Sequence, residues 1–474
     1  MNFNKKLSSI PDRFQVAIFP EIGVTVTGAD LRKSSAVCAA WLQGNGYKTI
    51  GIHMGNSPEF LYILVGAMRS GVKVVLFNVL DSVETDIPVF EKEAVADIIR
   101  DRKDSPAVFI EKDWEMDEPF LSLSTSGTSG EKKLIEKSFR NFYGGKRSSR
   151  VWKIAFRHIR LKLYTCMPWY HQSGIGMLLF ILDGAFLTMI ASERFNPEKM
   201  RRNLNSTLPH GLLTTPTMIS RSISCGKLTL PPFIMCTGEP LSYDTLELLS
   251  KNGGGQLLYN CYGSTEAGGA ISSMLCVFDD VKFFGRFILF LFRAAGSGRA
   301  IIHMEAVKPR CVGALTKGTE VKFSEEGEVL ARTSRMASEY GNAFFNTGDI
   351  GFMQDGLLFI TGRRTSVINR SGEKIDPYDI EKVISGLPGV KSVAVFGIPS
   401  QTHGEDICAA IESNGGEPVV DRSGLSGLLP NYMIPSHFFF FEEFPLTESG
   451  KANLSKLRSF ALDSLSTAKD TAKE

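Results

Sequence analysis

The chain has 474 residues, of which 43% are hydrophobic and 22% are charged. Since a single hydrophobic core stops growing at roughly 250–300 residues, we expect about two or three globular units, and the composition excludes a largely disordered chain. Lysine and arginine (53) nearly balance aspartate and glutamate (51), which argues against a nucleic-acid partner.

The sequence also bears on where the protein works. No apolar stretch reaches the roughly 20 residues that span a bilayer, so we expect no integral membrane protein. The N-terminal residues contain two lysines without an apolar core behind them, unlike a secretory signal. Eight cysteines without a Cys-x-x-Cys pair favour free thiols in a reducing compartment. We therefore expect a cytoplasmic protein, either a monomer or a homodimer.

Strands and helices alternate along the first half of the chain. Residues 29–43 and 58–71 carry apolar residues at helical spacing, and short apolar runs such as 73–77 are typical of strands. This alternation predicts βαβ units with parallel strands. Further along, Asp355-Gly356 between two apolar runs predicts a hairpin over residues 346–362.

A helix is predicted to start at Asp376-Pro377. In this region the order of strands and helices differs from the regular alternation of the first half. We predict an α/β fold with two domains. Residues 1–362 form a large N-terminal body of stacked, mainly parallel sheets flanked by helices. Residues 363–474 form a small, mobile α+β domain.

The segment around residues 121–133 is the most informative. Every residue from Ser124 to Gly130 is glycine, serine or threonine, and lysines follow closely. Glycine backbones approach an anion closely, and hydroxyls and lysines can complete its shell. The spacing is not that of a Walker A loop, because the fifth residue after Gly127 is Lys132. Composition alone leaves two alternatives, a phosphate-binding loop or a polar surface loop.

The order of the residues favours the phosphate-binding alternative. Residues 125–133 (TSGTSGEKK) resemble the T-S-G-T-T-G-x-P-K loop of the adenylate-forming superfamily, with Lys132 in place of proline. That superfamily includes acyl- and aryl-CoA synthetases, nonribosomal adenylation domains and firefly luciferase. Six further motifs follow in the family's order, at residues 168–174, 237–241, 262–266, 347–349, 362–381 and 445–451. The first of these resembles the P-x-F-H-x-x-G motif of the CoA-ligase branch.

The resemblance implies an ATP-dependent activation of a carboxylic acid through an acyl-AMP, followed by transfer to a thiol. The implied ATP-binding residues are Thr125, Ser126, Gly127, Thr128, Ser129, Gly130, Lys133, Gly238, Glu239, Pro240, Tyr262, Gly263, Thr265, Asp349 and Arg363. Among them, Tyr262 would lie against adenine, Thr265 would contact the α-phosphate and Asp349 would accept from the ribose hydroxyls. Taken alone, Tyr262 could equally be a core aromatic and Asp349 a turn residue.

Three residues are implied to be catalytic: Lys451, His171 and Glu266. The charge of Lys451 would stabilise the transition state, because this chemistry depends mainly on positioning and electrostatics. Glu266 would hold Mg²⁺, a cation that prefers carboxylate and phosphate oxygens. The implied acyl pocket contains His171, Gly174, Met177, Thr215, Ala267 and Gly268.

The second half-reaction needs a thiol and a change of domain orientation. Gly372 is implied to line the tunnel for the pantetheine arm, and Thr365 takes the hinge position, where the family usually has aspartate or lysine. Leu454 stands where the family usually has arginine. No acidic residue occurs from Lys137 to Leu182, so an ordinary carboxylic acid is favoured over an amino acid as substrate.

Three functional alternatives stay open. The first is a ligase that uses ATP, Mg²⁺ and coenzyme A. The second is an enzyme that loads the phosphopantetheine of an acidic carrier protein. The third is a nucleotide-binding protein without catalysis, suggested by Lys132, Thr365 and Leu454.

Two further stretches have no assigned role. Nine lysines or arginines occur from Lys137 to Lys162, either as a solvated helix face or as a landing patch for CoA phosphates or a carrier. The apolar residues 283–293 predict a core strand. The alternative is a surface that contacts lipid or a second copy of the chain.

Overall fold

The computed structural model describes residues 3–102, 107–126, 132–143, 160–185, 187–253, 255–278, 286, 301–303, 306–400, 402–413, 420–447 and 450–471. The chain divides into two compact units. The first comprises Met1–Ser324, Val329–Thr347 and Phe352–Phe359, and the second comprises Glu325–Glu328, Gly348–Gly351 and Ile360–Glu474.

The described helices are α1 (Phe3–Ser8), α2 (Gly28–Gly44), α3 (Pro58–Ser70), α4 (Lys92–Arg102), α5 (Phe139–Tyr143), α6 (Gln172–Phe180), α7 (Pro197–Thr207), α8 (Pro216–Ser224), α9 (Tyr243–Lys251), α10 (Pro377–Ser385), α11 (Arg422–Leu425) and α12 (Leu454–Thr471). A π-helical turn covers Ile181–Ala185, and 3₁₀ turns cover Ser338–Tyr340, Arg364–Ser366 and Asn431–Met433.

The described strands are β1 (Gln15–Phe19), β2 (Val24–Thr27), β3 (Thr49–Ile52), β4 (Lys73–Leu76), β5 (Val89–Phe90), β6 (Pro119–Ser126), β7 (Lys132–Ser138), β8 (Leu161–Thr165), β9 (Leu187–Ala191), β10 (Gly211–Thr214), β11 (Phe233–Thr237), β12 (Leu257–Ser264), β13 (Gly269–Val277), β14 (Ile301–His303), β15 (Cys311–Leu315), β16 (Thr319–Phe323), β17 (Glu328–Thr333), β18 (Phe345–Gln354), β19 (Leu357–Arg363), β20 (Ile368–Arg370), β21 (Glu373–Ile375), β22 (Val390–Ser400), β23 (Gly404–Ser413) and β24 (His437–Phe441).

Across the described residues, the largest sheet has 14 strands in the order β16-β17-β18-β19-β15-β13-β12-β11-β10-β8-β9-β1-β2, with β14 beside β13. Its centre is parallel: β8, β9, β10, β11 and β12 run in one direction, and a helix connects each of them to the next along the chain. The carboxyl ends of these strands therefore meet at one edge, where open α/β sheets bind ligands.

A second sheet has the order β5-β3-β4-β6-β7. Its strands are parallel apart from β7, which forms an antiparallel hairpin with β6. One hydrophobic core contains buried residues from both sheets and from the helices beside them, for example Val74 of β4, Met189 of β9 and Phe60 of α3. Burying such side chains contributes about 1.5–3 kcal/mol each, so this shared core fixes the two sheets of the first unit.

Local signals explain why several helices start and end where they do. Ser57 caps α3 by accepting from the Phe60 amide, Pro58 occupies the first helical position, and Gly71 ends the helix with a φ of 77°. In the second unit, Asp376 caps α10 in the same manner, which confirms the predicted start at Asp376-Pro377.

The second unit contains the sheet β21-β20-β23-β22, with β24 beside β23. Helix α10 packs on β22, and its Ile380 and Ile384 share a core with Ile407 and Ile411 of β23. The predicted α/β class is confirmed. Both sheets of the first unit are mixed, because tight hairpins such as β12–β13 return the chain antiparallel at the ends of the parallel centre.

Candidate active site

The predicted phosphate loop connects β6 to β7. The two strands pair up to the base of the loop, with Thr125 opposite Lys133 and Ser126 opposite Lys132. Gly127, Thr128, Ser129 and Gly130 lie outside the described residues. The structure therefore gives the loop a rigid base, since both of its ends belong to one hairpin.

Lys133 lies in β7, directly after Lys132, the first residue of that strand, and its side chain is half exposed. Its Nζ donates to the Tyr340 hydroxyl at 2.9 Å and lies 3.2 Å from Glu339 Oε1. The hydrogen bond to Tyr340, with the charge of Glu339, raises the pKa of Lys133. The lysine is therefore protonated at neutral pH, as a phosphate ligand must be.

The Tyr262–Glu266 motif forms the turn between β12 and β13. Gly263 pairs with Ala270, and a Cβ on Gly263 would lie 2.0 Å from the Gly269 carbonyl oxygen, so only glycine fits there. The Gly268 amide donates to the Thr265 carbonyl at 3.0 Å and closes the turn. Thr265 and Glu266 are thereby placed at the carboxyl end of β12.

Lys137 of β7 contacts this turn, and the sequence did not predict that contact. The side chain is fully buried, and its Nζ donates to the Thr265 carbonyl oxygen. Burial lowers the pKa of Lys137 to about 8, although the negative charges of Glu266 and Glu339 oppose this shift. The alternation of strand β7 is the signal that could have identified it, because Lys133 and Lys137 lie on one face.

The ends of β10 and β11 form a neighbouring part of the site. Thr215 caps helix α8 immediately after β10, and Gly238 follows β11 with a φ of 86°. Glu239 Oε2 accepts from the amide and the hydroxyl of Thr217 at 3.0 and 2.6 Å. Its other oxygen, Oε1, is buried and has no hydrogen-bond partner among the described residues. Pro240 directly follows Glu239.

The segment between β8 and α6 carries the predicted His171. Trp169 donates its amide to Asn56 Oδ1 at 2.8 Å, and the rings of Tyr170 and His171 lie 4.9 Å apart. Gly174 is required by packing, since a Cβ there would lie 2.1 Å from the Pro168 carbonyl oxygen. His171 caps the N-terminus of α6 without a side-chain hydrogen bond to the cap.

The remaining residues of the predicted acyl pocket lie on α6 and in the β12–β13 turn. Met177 packs against both large hydrophobic cores of the first unit. The Ala267 carbonyl accepts from Thr333 Oγ1 at 2.7 Å, and Gly268, with a φ of 70°, packs against the backbone of Arg335. The segment 333–337 was not predicted as part of the site.

Asp349 and Arg363 form an ion pair in the second unit. Arg363 Nε lies 2.9 Å from Asp349 Oδ1, and the aspartate is buried whereas the arginine side chain is largely exposed. The pair joins two motifs that are adjacent in the β18–β19 hairpin, whose turn residues Asp355 and Gly356 have φ values of 53° and 77°. The predicted hairpin at Asp355-Gly356 is thereby confirmed.

Gly372 and Thr365 also belong to the second unit. Gly372 forms the β20–β21 turn with a φ of 90°, and no atom lies within 4 Å of a Cβ built on it, so its surroundings are open. Thr365 is exposed in the 3₁₀ turn Arg364–Ser366. Its role as a hinge stays a prediction.

Lys451 closes a tight turn near the C-terminus. The Thr447 amide donates to the Lys451 carbonyl at 2.7 Å, and the Lys451 amide donates to Thr447 Oγ1 at 3.2 Å. Gly450 has a φ of 81°, which explains the glycine before the lysine. The turn fixes the backbone from which the lysine side chain extends.

The nine lysines and arginines from Lys137 to Lys162, here called the basic run, do not all lie on one helix face. Lys137 is buried on a strand, Arg140 of α5 pairs with Asp117, and Lys162 lies in β8. The interpretation as a solvated helix face is therefore wrong for Lys137 and Lys162, because both lie on strands. Arg150 and the neighbouring residues lie outside the described part, as do residues 283–293 apart from Arg286.

The described residues contain neither a membrane-spanning helix nor a cluster of metal-ligand side chains. No helix there is long and apolar enough to cross a membrane, and no group of three or more histidine, cysteine or acidic side chains is arranged to hold a metal. A site with one carboxylate, such as that of Glu266, is not such a group, and Mg²⁺ is commonly held by one carboxylate together with phosphate oxygens.

Known relatives match the chain along most of its length. The 2-succinylbenzoate–CoA ligase of Listeria monocytogenes is 25% identical over 449 residues, covering 85% of this chain and 87% of its own. The long-chain-fatty-acid–CoA ligase FadD13 of Mycobacterium tuberculosis is 24% identical, covering 96% and 97%. The chain is thus similar to CoA ligases with different acyl substrates.

Solved structures agree in fold. ATP-bound MatB from Rhodopseudomonas palustris has a TM-score of 0.76 at 21% identity, covering 97% of this chain and 99% of its own. The o-succinylbenzoate CoA synthetase MenE from Bacillus subtilis, in complex with an acyl-adenylate, has a TM-score of 0.73 at 20% identity, covering 96% and 98%. The profile of the AMP-binding enzymes matches residues 81–340, and that of their C-terminal domain matches residues 379–451. The resemblance is confirmed: the chain belongs to the AMP-binding enzyme family.

Proposed function

We propose that the protein is an AMP-forming acid–thiol ligase. A carboxylate attacks the α-phosphorus of ATP and releases pyrophosphate, and a thiol then attacks the acyl carbonyl and releases AMP. The observation that carries the proposal is the β12–β13 turn, which places Thr265 and Glu266 at the carboxyl end of the parallel centre of the largest sheet, with buried Lys137 against it. Family membership adds the reaction type.

The residues present fit a nucleotide. Glu239 Oε1 is a buried acceptor that lacks a partner among the described residues, and a ligand N–H such as the adenine amino group would satisfy it. Tyr262 would lie against the base, and the buried carboxylate of Asp349, oriented by Arg363, would accept from ribose hydroxyls. Lys133 and the loop 125–130 would contact the outer phosphates.

Glu266 would hold Mg²⁺, which neutralises phosphate charge when it is bound. Thr265 would donate its hydroxyl to the α-phosphate. Lys451 would place its ammonium near the oxygens that gain charge during attack, while His171 and Tyr170 would close the acyl pocket against water. Thr365 would serve as the hinge and Gly372 would admit the pantetheine arm.

The acid would be an ordinary carboxylic acid rather than an amino acid. Asp183 is the first acidic residue after the segment 137–182, which contains none. Its side chain is buried and contacts Lys6, so it is already paired. An ammonium group on the substrate would thus lack a counter-charge from this segment.

Coenzyme A is the proposed acceptor. A carrier protein is the alternative, but the landing patch that would attract it has fewer available charges, because Lys137 is buried and Arg140 is paired. All eight cysteines are free in the structure, in keeping with the cytoplasmic location expected from the sequence.

Pyrophosphate release over a panel of carboxylic acids tests the proposal. Release that depends on both ATP and one class of acid supports it, and parallel reactions with CoA and with purified carrier protein identify the acceptor. ATP binding without acid-dependent release for any acid would favour the non-catalytic alternative, which the departures at Lys132, Thr365 and Leu454 suggested.

A further inference from the structure

Arg335 lies beside the β12–β13 turn, which carries Ala267 and Gly268 of the predicted acyl pocket. Its segment runs along that turn, because Thr333 Oγ1 donates to the Ala267 carbonyl at 2.7 Å and the Ala337 amide donates to the Glu266 carbonyl at 3.1 Å. The arginine between these two contacts is therefore held at a defined position.

The Arg335 side chain crosses the β12–β13 hairpin. Its Nη2 donates to the Ala270 carbonyl at 2.6 Å and lies 3.3 Å from Thr316 Oγ1. Burial lowers the pKa of Arg335, and the Tyr259 and Cys261 side chains oppose this shift by a smaller amount. The guanidinium therefore lies in a largely enclosed place among neutral groups.

No carboxylate pairs with Arg335 anywhere in the described part of the chain, and there Nε and Nη1 make no hydrogen bond. Partly buried charges normally have a counter-ion, because removing an unpaired charge from water is unfavourable. The planar guanidinium presents parallel N–H donors that match a carboxylate. The missing counter-charge is thus the kind of group that a substrate can bring.

We propose that Arg335 binds a second carboxylate of the acyl substrate, so that the enzyme activates dicarboxylic acids. This inference rests on the proposed function, since the acyl pocket is part of it. One carboxylate of the substrate is adenylated, and the other pairs with the guanidinium at the Ala270 side of the pocket.

The position of Arg335 favours the acyl group over the phosphates of ATP. Side chains alternate along β12, so Tyr259 and Cys261 lie on the face opposite Tyr262, the residue expected against adenine. Arg335 Nη2 also donates to the Ala270 carbonyl, next to the turn that carries Ala267 and Gly268 of the predicted acyl pocket. The guanidinium therefore lies near the predicted acyl pocket and on the face of β12 away from the expected adenine.

Matched pairs of acids test this inference. Straight-chain dicarboxylic acids of three to eight carbons are compared with monocarboxylic acids of the same length, by kcat/KM for pyrophosphate release. The wild type should prefer the diacid of at least one pair. In Arg335→Met the ratio of diacid to monoacid kcat/KM should fall about 10- to 100-fold, the range for loss of a charged hydrogen-bonded contact. Arg335→Lys should retain part of the preference.

Arg332→Met is the matched control, because Arg332 lies three residues earlier and pairs with Glu320 at the surface; its diacid ratio should equal that of the wild type. Melting temperatures show whether Arg335→Met is folded. If Arg335→Met does not fold, Arg335→Gln is used in its place, because glutamine can still donate to the Ala270 carbonyl.

Four results would overturn the inference. An unchanged ratio in Arg335→Met or a wild-type preference for monoacids would do so while leaving the proposed function intact. An equal loss for both acids with a raised KM for ATP would assign the guanidinium to a phosphate instead. If no acid of either series releases pyrophosphate although ATP still raises the melting temperature, the proposed function fails and this inference with it.

Discussion

Two lysines on one face of β7 show how much a residue's chemistry depends on its surroundings. Lys133 is half exposed and its pKa is raised by Tyr340 and Glu339, whereas burial lowers the pKa of Lys137 to about 8. The sequence could place Lys133 by motif but could not distinguish Lys137 from its exposed neighbours. Burial depends on the pairing of distant strands, which a local pattern does not contain.

Lys137→Met tests the buried charge. A lysine with a pKa of about 8 in the folded state, against 10.5 when unfolded, costs folding up to about 3 kcal/mol at pH 7. This cost is complete below pH 8 and disappears as the pH rises towards 10.5. The stability of the variant relative to the wild type should thus fall by about 2–3 kcal/mol between pH 7 and pH 10.5, measured by urea unfolding. Exposed Lys48→Met is the control, and a pH-independent difference would contradict a buried charged lysine.

Lys451→Ala should remove most adenylation while leaving the fold intact. Loss of one electrostatic contact to a transition state costs about 10²–10³ in rate, and Lys451 lies in a surface turn whose hydrogen bonds are made by backbone and Thr447. Pyrophosphate exchange measures this half-reaction. Thioester formation from a supplied acyl-adenylate should survive, and exposed Lys456→Ala should affect neither. Equal loss of both half-reactions would argue against separate domain orientations.

Glu266→Gln should weaken the dependence on magnesium. The amide keeps the shape of the side chain but loses the charge that a hard cation prefers. A magnesium titration at fixed ATP should show half-maximal activity at a higher concentration than in the wild type. Wild-type rates across the whole titration would mean that Glu266 is not the ligand.

At the scale of elements, the sequence predicted best what is encoded locally. The start of α10, the end of α3 at Gly71 and the Asp355-Gly356 hairpin each depend on a few adjacent residues. Contacts between distant segments could not be predicted in this way. The segment 333–337 and Asn141, which donates to the Arg335 carbonyl at 3.1 Å, join the site only through folding.

Helix α10 carries a test of its packing on β22. The Glu381 carboxylate accepts from the Val395 amide at 2.9 Å, and burial raises the pKa of Glu381 to about 7, with a smaller contribution from Asp376. An acid with a raised pKa destabilises the fold above that pKa and not below its unfolded value near 4.5. Glu381→Gln, which keeps the acceptor, should therefore be more stable than the wild type by about 3 kcal/mol at pH 8 and equal to it at pH 4.

Exposed Glu373→Gln of the same unit is the control for Glu381→Gln, and denaturant unfolding at the two pH values is the measurement. A stability gain of equal size at pH 4 would mean that packing, rather than the buried charge, distinguishes the variant.

At the scale of the whole molecule, the predicted functional residues are divided between two compact units. The first contains Lys133, Tyr262 and Glu266, and the second contains Asp349 and Lys451. The order of the motifs along the chain predicts both sets, because each motif requires a specific local turn. Which acid the pocket accepts depends on side chains such as Arg335, and no motif includes them.

The stoichiometry of products tests the central claim most directly. The purified protein is incubated with ATP, magnesium, CoA and the best acid of the panel, and nucleotides and thioesters are separated by liquid chromatography and identified by mass. An AMP-forming ligase should give AMP, pyrophosphate and acyl-CoA in equal amounts, and should accumulate acyl-AMP when CoA is omitted. Formation of ADP and phosphate instead, or of AMP without any dependence on the acid, would contradict the account.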